Sequence, residues 1–243
     1  MTIINPIRVR FKKQHVSFDP GNIVTDGLVL NLDAGNAGSY DGSGTTWFDL
    51  SGNSNNGTLV NGVGYDSDYG GSLTFDGSDD YVGAPVYIPT EDASIEVWAR
   101  IDIFDGNVLF GFGGDDYPGG LAGSGPDVYV DPGGTWAWNT GDGVSNAFSA
   151  NPTVNTTDWF QYVVTTESTT DAKLYVNGNL IGTANHKSAK VTNSGDRVFI
   201  GRWANTIGYE TPGNYGIVRV YDRVLSLSEI QQNYNALSSR YGI

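Results

Sequence analysis

Two sets of residues in this chain have the types and spacing to do chemistry: aromatic rings set among glycines, and carboxylates gathered in Asp/Asn-rich turns. The rings are Tyr117, Tyr129, Trp136, Trp138, Trp203 and Tyr209. An exposed ring suits the C–H face of a sugar, while nearby Asp, Asn or glycine backbone holds the hydroxyls. The run GFGGDDYPGGLAGSGPD, from Gly111 to Asp127, is the natural variable contact surface, and Asp115, Asp116, Tyr117, Tyr129, Trp203 and Tyr209 form the candidate glycan or contact set. Trp136 and Trp138 share one face of TWAWN and read as core. The G-x-G in that run is not a phosphate loop, because no helix follows it.

Cleaving a glycosidic bond needs two carboxyl groups facing one another across it. No alternating E-x-D-x-E run is present. Glu91 and Asp92 precede the strand SIEVW, which leaves Glu96 alone on it as an exposed or hydrogen-bonded residue. Asp79 and Asp80 are adjacent, so an extended segment points them to opposite sides. His15 and His186 are far apart and cysteine is absent, so neither a nucleophile–base pair nor a zinc site is expected. The sequence reads as non-enzymatic, with no required cofactor. Calcium is the metal to weigh: the turns Asp49 to Asn53 and Asp76 to Asp80 offer hard oxygen ligands, and Asp49, Asn53 and Asp76 are the candidate set. The alternative is that these side chains close turns, as Asx residues do.

The elements that must position these groups are short strands. GLVLNLDAG at Gly27 to Gly35 alternates Leu28, Leu30 and Leu32 toward a core. Further strands are expected near 73–76, 80–83, 94–103, 107–113, 135–139, 159–167, 197–201 and 216–222, with a hairpin turning at Asn177-Gly178. Ser226 and Glu229 form a capping box ahead of a helix near 226–238 whose face carries Ile230, Tyr234 and Leu237. Thirty-four glycines and many aromatics suit short strands and tight turns. No internal repeat is visible, which argues against a propeller or solenoid. The fold expected is an all-β, two-sheet antiparallel sandwich with one short C-terminal helix and an extended N-terminal arm.

Charge divides the chain. Residues 1–13 carry a net +4, residues 14–172 a net −22, and the whole chain −14. In the arm, Ile7, Val9 and Phe11 alternate with Arg8, Arg10 and Lys12, a period that fits a strand adding to a neighbour's sheet edge. The alternative for the arm is an unstructured basic tail. Residues 1–26 are therefore expected to be an attachment arm and 27–243 the domain. An acidic body repels nucleic acid and anionic membrane, so neither is expected as a partner. No apolar run approaches the ~20 residues that span a bilayer, and the N-terminus does not read as a secretion signal.

Two phrases carry a family resemblance: WFDLSGNSNNGTL at Trp47 to Leu59 and LTFDGSDDYV at Leu73 to Val82. Together they resemble the opening of a laminin G-like, concanavalin A-type jelly roll. KLYVNGNLIGT at Lys173 to Thr183 resembles the family's penultimate hairpin, and GNYGIVRVYDRVLSLSEIQQNYNALSSRYGI at Gly213 to Ile243 is similar to its closing strand and helix in the form carried by tailed-phage structural proteins. The resemblance spans about residues 27–243. It implies a jelly roll, with Trp47, Trp98 and Trp159 at core positions. In relatives that bind calcium an acidic residue in the closing strand helps complete the site, whereas Gly216 stands there in this chain. Such folds host sugar binders, enzymes and structural modules alike. The expectation is a virion structural protein of a tailed phage, either capsid decoration or tail-associated, on the virion surface. Its partners would be other virion proteins met through the arm, a neighbouring copy, and a host-surface glycan. The alternative is an extracellular carbohydrate-binding adhesin or lectin module, with calcium dependence open.

Overall fold

The computed structural model describes residues 22–86, 92–102, 107–114, 127–130, 135–139, 145–148, 158–167, 171–185, 196–203 and 208–243. The residues expected to form the arm, Ile7 to Lys12, lie outside them. Among the described residues there are sixteen strands and one α-helix. The strands are β1 (Leu28–Asp33), β2 (Thr46–Trp47), β3 (Gly57–Val60), β4 (Gly64–Asp66), β5 (Ser72–Phe75), β6 (Tyr81–Ala84), β7 (Ala93–Ile101) and β8 (Asn107–Gly114), then β9 (Asp127–Val130), β10 (Trp136–Asn139), β11 (Ser145–Ala147), β12 (Phe160–Thr166), β13 (Asp171–Val176), β14 (Asn179–Asn185), β15 (Asp196–Ile200) and β16 (Gly213–Tyr221). Helix α1 spans Leu227–Tyr241.

The strands build two antiparallel sheets of eight. The back sheet runs β14-β13-β12-β7-β16-β5-β4 with β1 also on β16, and the front sheet runs β11-β10-β9-β8-β15-β6-β3-β2. Side chains of period two fill the space between them: Ile95, Val97, Val164, Leu174, Val218 and Val220 from the back sheet meet Leu59, Val82, Val128, Trp136, Val198 and Ile200 from the front. This is the two-sheet jelly-roll sandwich the sequence led us to expect.

Local chemistry explains the turns. Asn177 and Gly178 have φ of 50° and 74°, the two positive values that a tight hairpin between right-twisted strands requires. Ser226 Oγ accepts the Glu229 N–H while Glu229 Oε2 accepts the Ser226 N–H at 2.8 Å, closing the capping box. At the other end Gly242 takes the left-handed conformation (φ 75°) and donates to Ser238 O, so α1 runs three residues beyond the expected end at 238.

Two expectations shift. Leu30 and Leu32 enter the main core, but the β1–β16 register breaks between Leu28 and Leu30. That irregularity turns Leu28 to the opposite face, where it packs beside Val24, Tyr221 and Ile230. The domain's packing also starts ahead of residue 27. Val24 is buried, its N–H donates to Asn233 Oδ1 at 2.8 Å, and its carbonyl accepts from the Tyr221 hydroxyl at 3.2 Å.

Candidate functional site

The two outer faces of the sandwich differ in what covers them. On the back sheet, α1 lays Ile230, Asn233, Leu237 and Tyr241 onto Glu96, Trp98, Ile217 and Tyr221. On the front sheet, the residues alternating with the core positions are Tyr81 on β6, Phe199 on β15, Val108 on β8 and Tyr129 on β9, and with Trp203 they form an apolar cluster of their own. The segment after β15 folds back to complete it. Gly201 begins the return with φ 76°, where a side chain would strike the Phe75 ring. The Gly201 N–H then donates to Leu109 O at 2.9 Å, the Thr211 N–H to Gly201 O at 2.9 Å, and the Thr211 hydroxyl to Val108 O at 2.7 Å.

That return sets Tyr209 edge-on to Trp203, with centroids 5.1 Å apart and planes at 89°. Trp203 is buried, and Tyr209 is 40% exposed. The Arg202 guanidinium lies 4.6 Å from the Tyr81 ring centroid, and its Nε stands 3.8 Å from Glu210 Oε1 with both side chains buried. Glu210 Oε2 in turn accepts the Gly208 N–H at 2.8 Å. The result is a ring cluster, half-buried at Tyr81 and Tyr129 and exposed at Tyr209, with a buried ion pair at its edge. The Trp203 indole N–H has no hydrogen-bond partner among the described residues.

Of the expected contact set, the structure gathers Tyr129, Trp203 and Tyr209. Asp115, Asp116 and Tyr117 lie outside the described residues. Sequence reasoning missed Tyr81, Phe199, Arg202 and Glu210, although period-two alternation through DYVG and RVFIG places Tyr81 and Phe199 opposite the core positions Val82 and Val198. Trp136 is core, as expected, and Trp47 is buried in the same core. Trp98 and Trp159 are also buried, but beneath α1.

The carboxylates resolve into three separate roles. Glu96 is fully buried. Its Oε1 accepts from the Trp98 indole at 2.8 Å and from Gln161 at 2.9 Å, while Oε2 accepts from Asn233 at 2.8 Å and sits 3.5 Å from Arg219 Nη1. Arg219 also donates to Asn31 Oδ1 at 3.0 Å. Asp49 and Asn53 serve an edge. Asp49 Oδ1 accepts from the Asn31 and Ser51 N–H groups, each at 2.9 Å, and Oδ2 from the Ser51 hydroxyl at 2.7 Å. Ser51, Asn53 and Asn55 donate to the carbonyls of Leu28 and Val29. The free edge of β1 is thus closed by side chains where a neighbouring strand would otherwise pair. This accounts for the phrase DLSGNSNN, and it is the turn-closing alternative posed for Asp49 and Asn53.

Asp76 belongs to a different group. A carboxylate oxygen from each of Asp76, Asp79 and Asp80 lies within 4.8 Å of the others. The segment is a turn rather than an extended strand: the Asp76 N–H donates to Asp80 Oδ2 at 3.1 Å and the Ser78 N–H to Asp76 Oδ1 at 2.8 Å. Adjacent Asp79 and Asp80 therefore converge, contrary to the extended reading. Burial raises the Asp80 carboxyl pKa, opposed by the Asp76 N–H, and the charges of Asp76 and Asp79 add to the rise. Three hard oxygens at this spacing fit a divalent cation such as calcium, and these three residues would hold it. Gly216, the residue at the family's acidic position, lies beneath α1, where a side chain would run into the Tyr241 hydroxyl.

A family model described as the concanavalin A-like lectin/glucanases superfamily matches residues 76–231, and the chain belongs to that superfamily. Comparison with curated proteins finds no match. Among solved structures, domain 4 of AbnA, an extracellular GH43 arabinanase from Geobacillus stearothermophilus in complex with arabinotriose, superimposes with a TM-score of 0.65 at 15% identity, over 85% of this chain and 98% of that one. Trypanosoma rangeli sialidase, in complex with the inhibitor DANA, gives 0.64 at 17% identity over 87% of this chain and 33% of that one. The ligand-binding domain of botulinum neurotoxin serotype D, in complex with N-acetylneuraminic acid, gives 0.62 at 16% identity over 87% of this chain and 51% of that one. At these identities the likeness shows the fold. The chain spans only a third of the sialidase and half of the neurotoxin domain. Among the described residues, no helix is long and apolar enough to cross a membrane.

Proposed function

We propose that this chain is a carbohydrate-binding module that holds a glycan without cleaving it, on the outer face of the front sheet. The observation that carries the reading is the assembly of Tyr81, Tyr129, Trp203 and Tyr209 on one face from two strands and a return segment. Domain 4 of AbnA, with which the chain shares its architecture over nearly the whole of that domain, was solved with arabinotriose. The non-catalytic part rests on Glu96, the carboxylate of the central strand β7: four donors surround it under α1, where no sugar can reach it. Titration of the intact protein with an oligosaccharide panel, followed by intrinsic tryptophan fluorescence and calorimetry, tests this. We expect binding that falls about tenfold, about 1.4 kcal/mol, in Tyr209→Ala. Binding unaffected by Tyr209→Ala would put the site elsewhere, and turnover of any panel member would overturn the non-catalytic reading.

A second reading concerns where the module works. The +4 arm ahead of a −22 body, with its apolar–basic alternation, supports display on a phage particle through residues 1–26, by strand addition to a capsid, tail or sister subunit. Deleting residues 2–20 should leave a folded module that no longer joins particles. A truncated chain that still assembles at full occupancy rules the arm out.

A further inference from the structure

We infer that the arm seats on the outer edge of β14 in a second copy of this chain, each copy donating one arm and accepting the other's; this rests on the attachment reading of residues 1–26 above and names its acceptor. The sheet borders differ in how they are closed. Among the described residues, β14 and β4 end the back sheet, β11 and β2 end the front one, and β1 borders β16. β2, β4 and β11 are only two or three residues long, too short to seat residues 7–12. β1 is six residues long, but Ser51, Asn53 and Asn55 already donate to the carbonyls at its edge. β14 runs seven residues, Asn179–Asn185, and among the described residues it pairs with β13 alone. Its sequence, NLIGTAN, holds neither a charge nor a proline, the devices that keep an edge strand from pairing with another chain. Leu180 near its start is 51% exposed.

The root of the arm lies beside that edge. Asn22 O accepts from the Gln232 side-chain amide at 3.0 Å, and the neighbouring Gln231 amide donates at 3.3 Å to the carbonyl of Gly178, in the turn that opens β14. Two copies set edge to edge at β14 therefore bring each arm's root beside the other's open strand. Lys12 and Asn22 are ten positions apart, a separation that extended chain can stretch to about 35 Å, so the arm can cross to its neighbour. Alternation of Ile7, Val9 and Phe11 with Arg8, Arg10 and Lys12 gives an added strand one apolar side to set against Leu180 and one basic side for water. Reciprocal exchange uses the same patch on both copies, so the contact closes into a dimer.

The chain has no cysteine, so introduced cysteines report contacts without background. Full-length Val9→Cys is mixed with a size-tagged full-length Leu180→Cys chain under mild oxidation, and the cysteine-free protein is sized by analytical ultracentrifugation. The expected results are a disulphide between the two mixed chains, absent when Tyr65→Cys on the opposite border strand β4 replaces Leu180→Cys, and a dimer lost on deleting residues 2–20 or in Leu180→Lys, whose fold circular dichroism checks. Equal crosslinking at Tyr65→Cys would overturn the inference. So would a link that forms only within one chain carrying both Val9→Cys and Leu180→Cys, or a dimer that survives the deletion, which would mean that β14 pairs with β14. A monomeric chain that still needs residues 2–20 to join particles would overturn the inference and leave the attachment reading standing. A monomer that joins particles equally well without those residues would overturn both.

Discussion

The sandwich has two outer faces, both rich in aromatic side chains, and they differ in what encloses them. Behind the back sheet, Trp98 stacks on Tyr234 and Tyr241 with centroids at 6.0 and 4.9 Å, and Trp159 packs on Tyr241 at 4.5 Å. There α1 covers the rings and supplies Asn233 to a carboxylate that four donors satisfy. Before the front sheet, Tyr81 and Phe199 pack with Trp203 from the segment after β15, and Tyr209 stays exposed. Aromatic content alone therefore does not distinguish a core from a platform. The polar groups do: on the back face Trp98, Gln161, Asn233 and Arg219 converge on the one carboxylate of Glu96, whereas on the front face Arg202 and Glu210 pair beside the rings and leave Tyr209 exposed.

If the back face is purely structural, removing its charge should destabilise the domain and do nothing specific to binding. Glu96→Ala would leave Arg219 buried, 3.5 Å from an absent partner, a loss of about 3–5 kcal/mol. Domains of ordinary stability hold about 5–15 kcal/mol, so urea unfolding should shift markedly toward lower denaturant. Glycan affinity of the fraction that remains folded should match the wild type. A Glu96→Ala protein of native stability would show that the network is dispensable, and the contrast between the two faces would lose its basis.

The converse variant sharpens the same contrast. Tyr209→Ala removes a half-exposed ring from the rim, and surface changes of that sort stay within about 0.5 kcal/mol. Its melting temperature should hold while its affinity falls about tenfold. A large loss of stability would mean that Tyr209 closes the front cluster as Tyr241 closes the back one, and that the front face is a second core.

Most of the fold was legible because its strands alternate and its turns carry their own chemistry. Asn177-Gly178, the Ser226–Glu229 box and the apolar runs of β7, β12 and β16 are local signals, and each appears where local physics puts it. β2, β3 and β4 are two to four residues long and lie among glycines and asparagines, too short for a period to show. The site was legible only in part. Tyr129, Trp203 and Tyr209 announce themselves as rings beside glycines. Arg202 and Glu210 become a buried pair only through the return of the chain at Gly201. Asn233 was missed for a related reason: its partner Glu96 lies 137 residues away in sequence, so a polar residue on an apolar helix face has no visible cause until the sheet is in place.

The smallest predicted effect concerns how α1 is held over the back face. Glu229 accepts from Arg223 Nη1 at 3.1 Å and Nη2 at 2.6 Å as well as from the Ser226 N–H. These hydrogen bonds, those of Arg223 foremost, pull its pKa down from 4.5 to about 2. A carboxylate whose pKa is depressed on folding adds stability above its unfolded pKa, about 4.3, and that increment disappears as pH falls through the folded value. Glu229→Gln removes the charge that Arg223 favours and weakens the cap, at a cost of about 1 kcal/mol at neutral pH. Melting temperatures of the two proteins should therefore differ at pH 7 and converge as pH falls from about 4.5 toward about 2, because the wild type loses there what the variant already lacks. A gap that stays constant across that window would assign the effect to helix propensity or packing, and α1 would then be held over the back face by its apolar side alone.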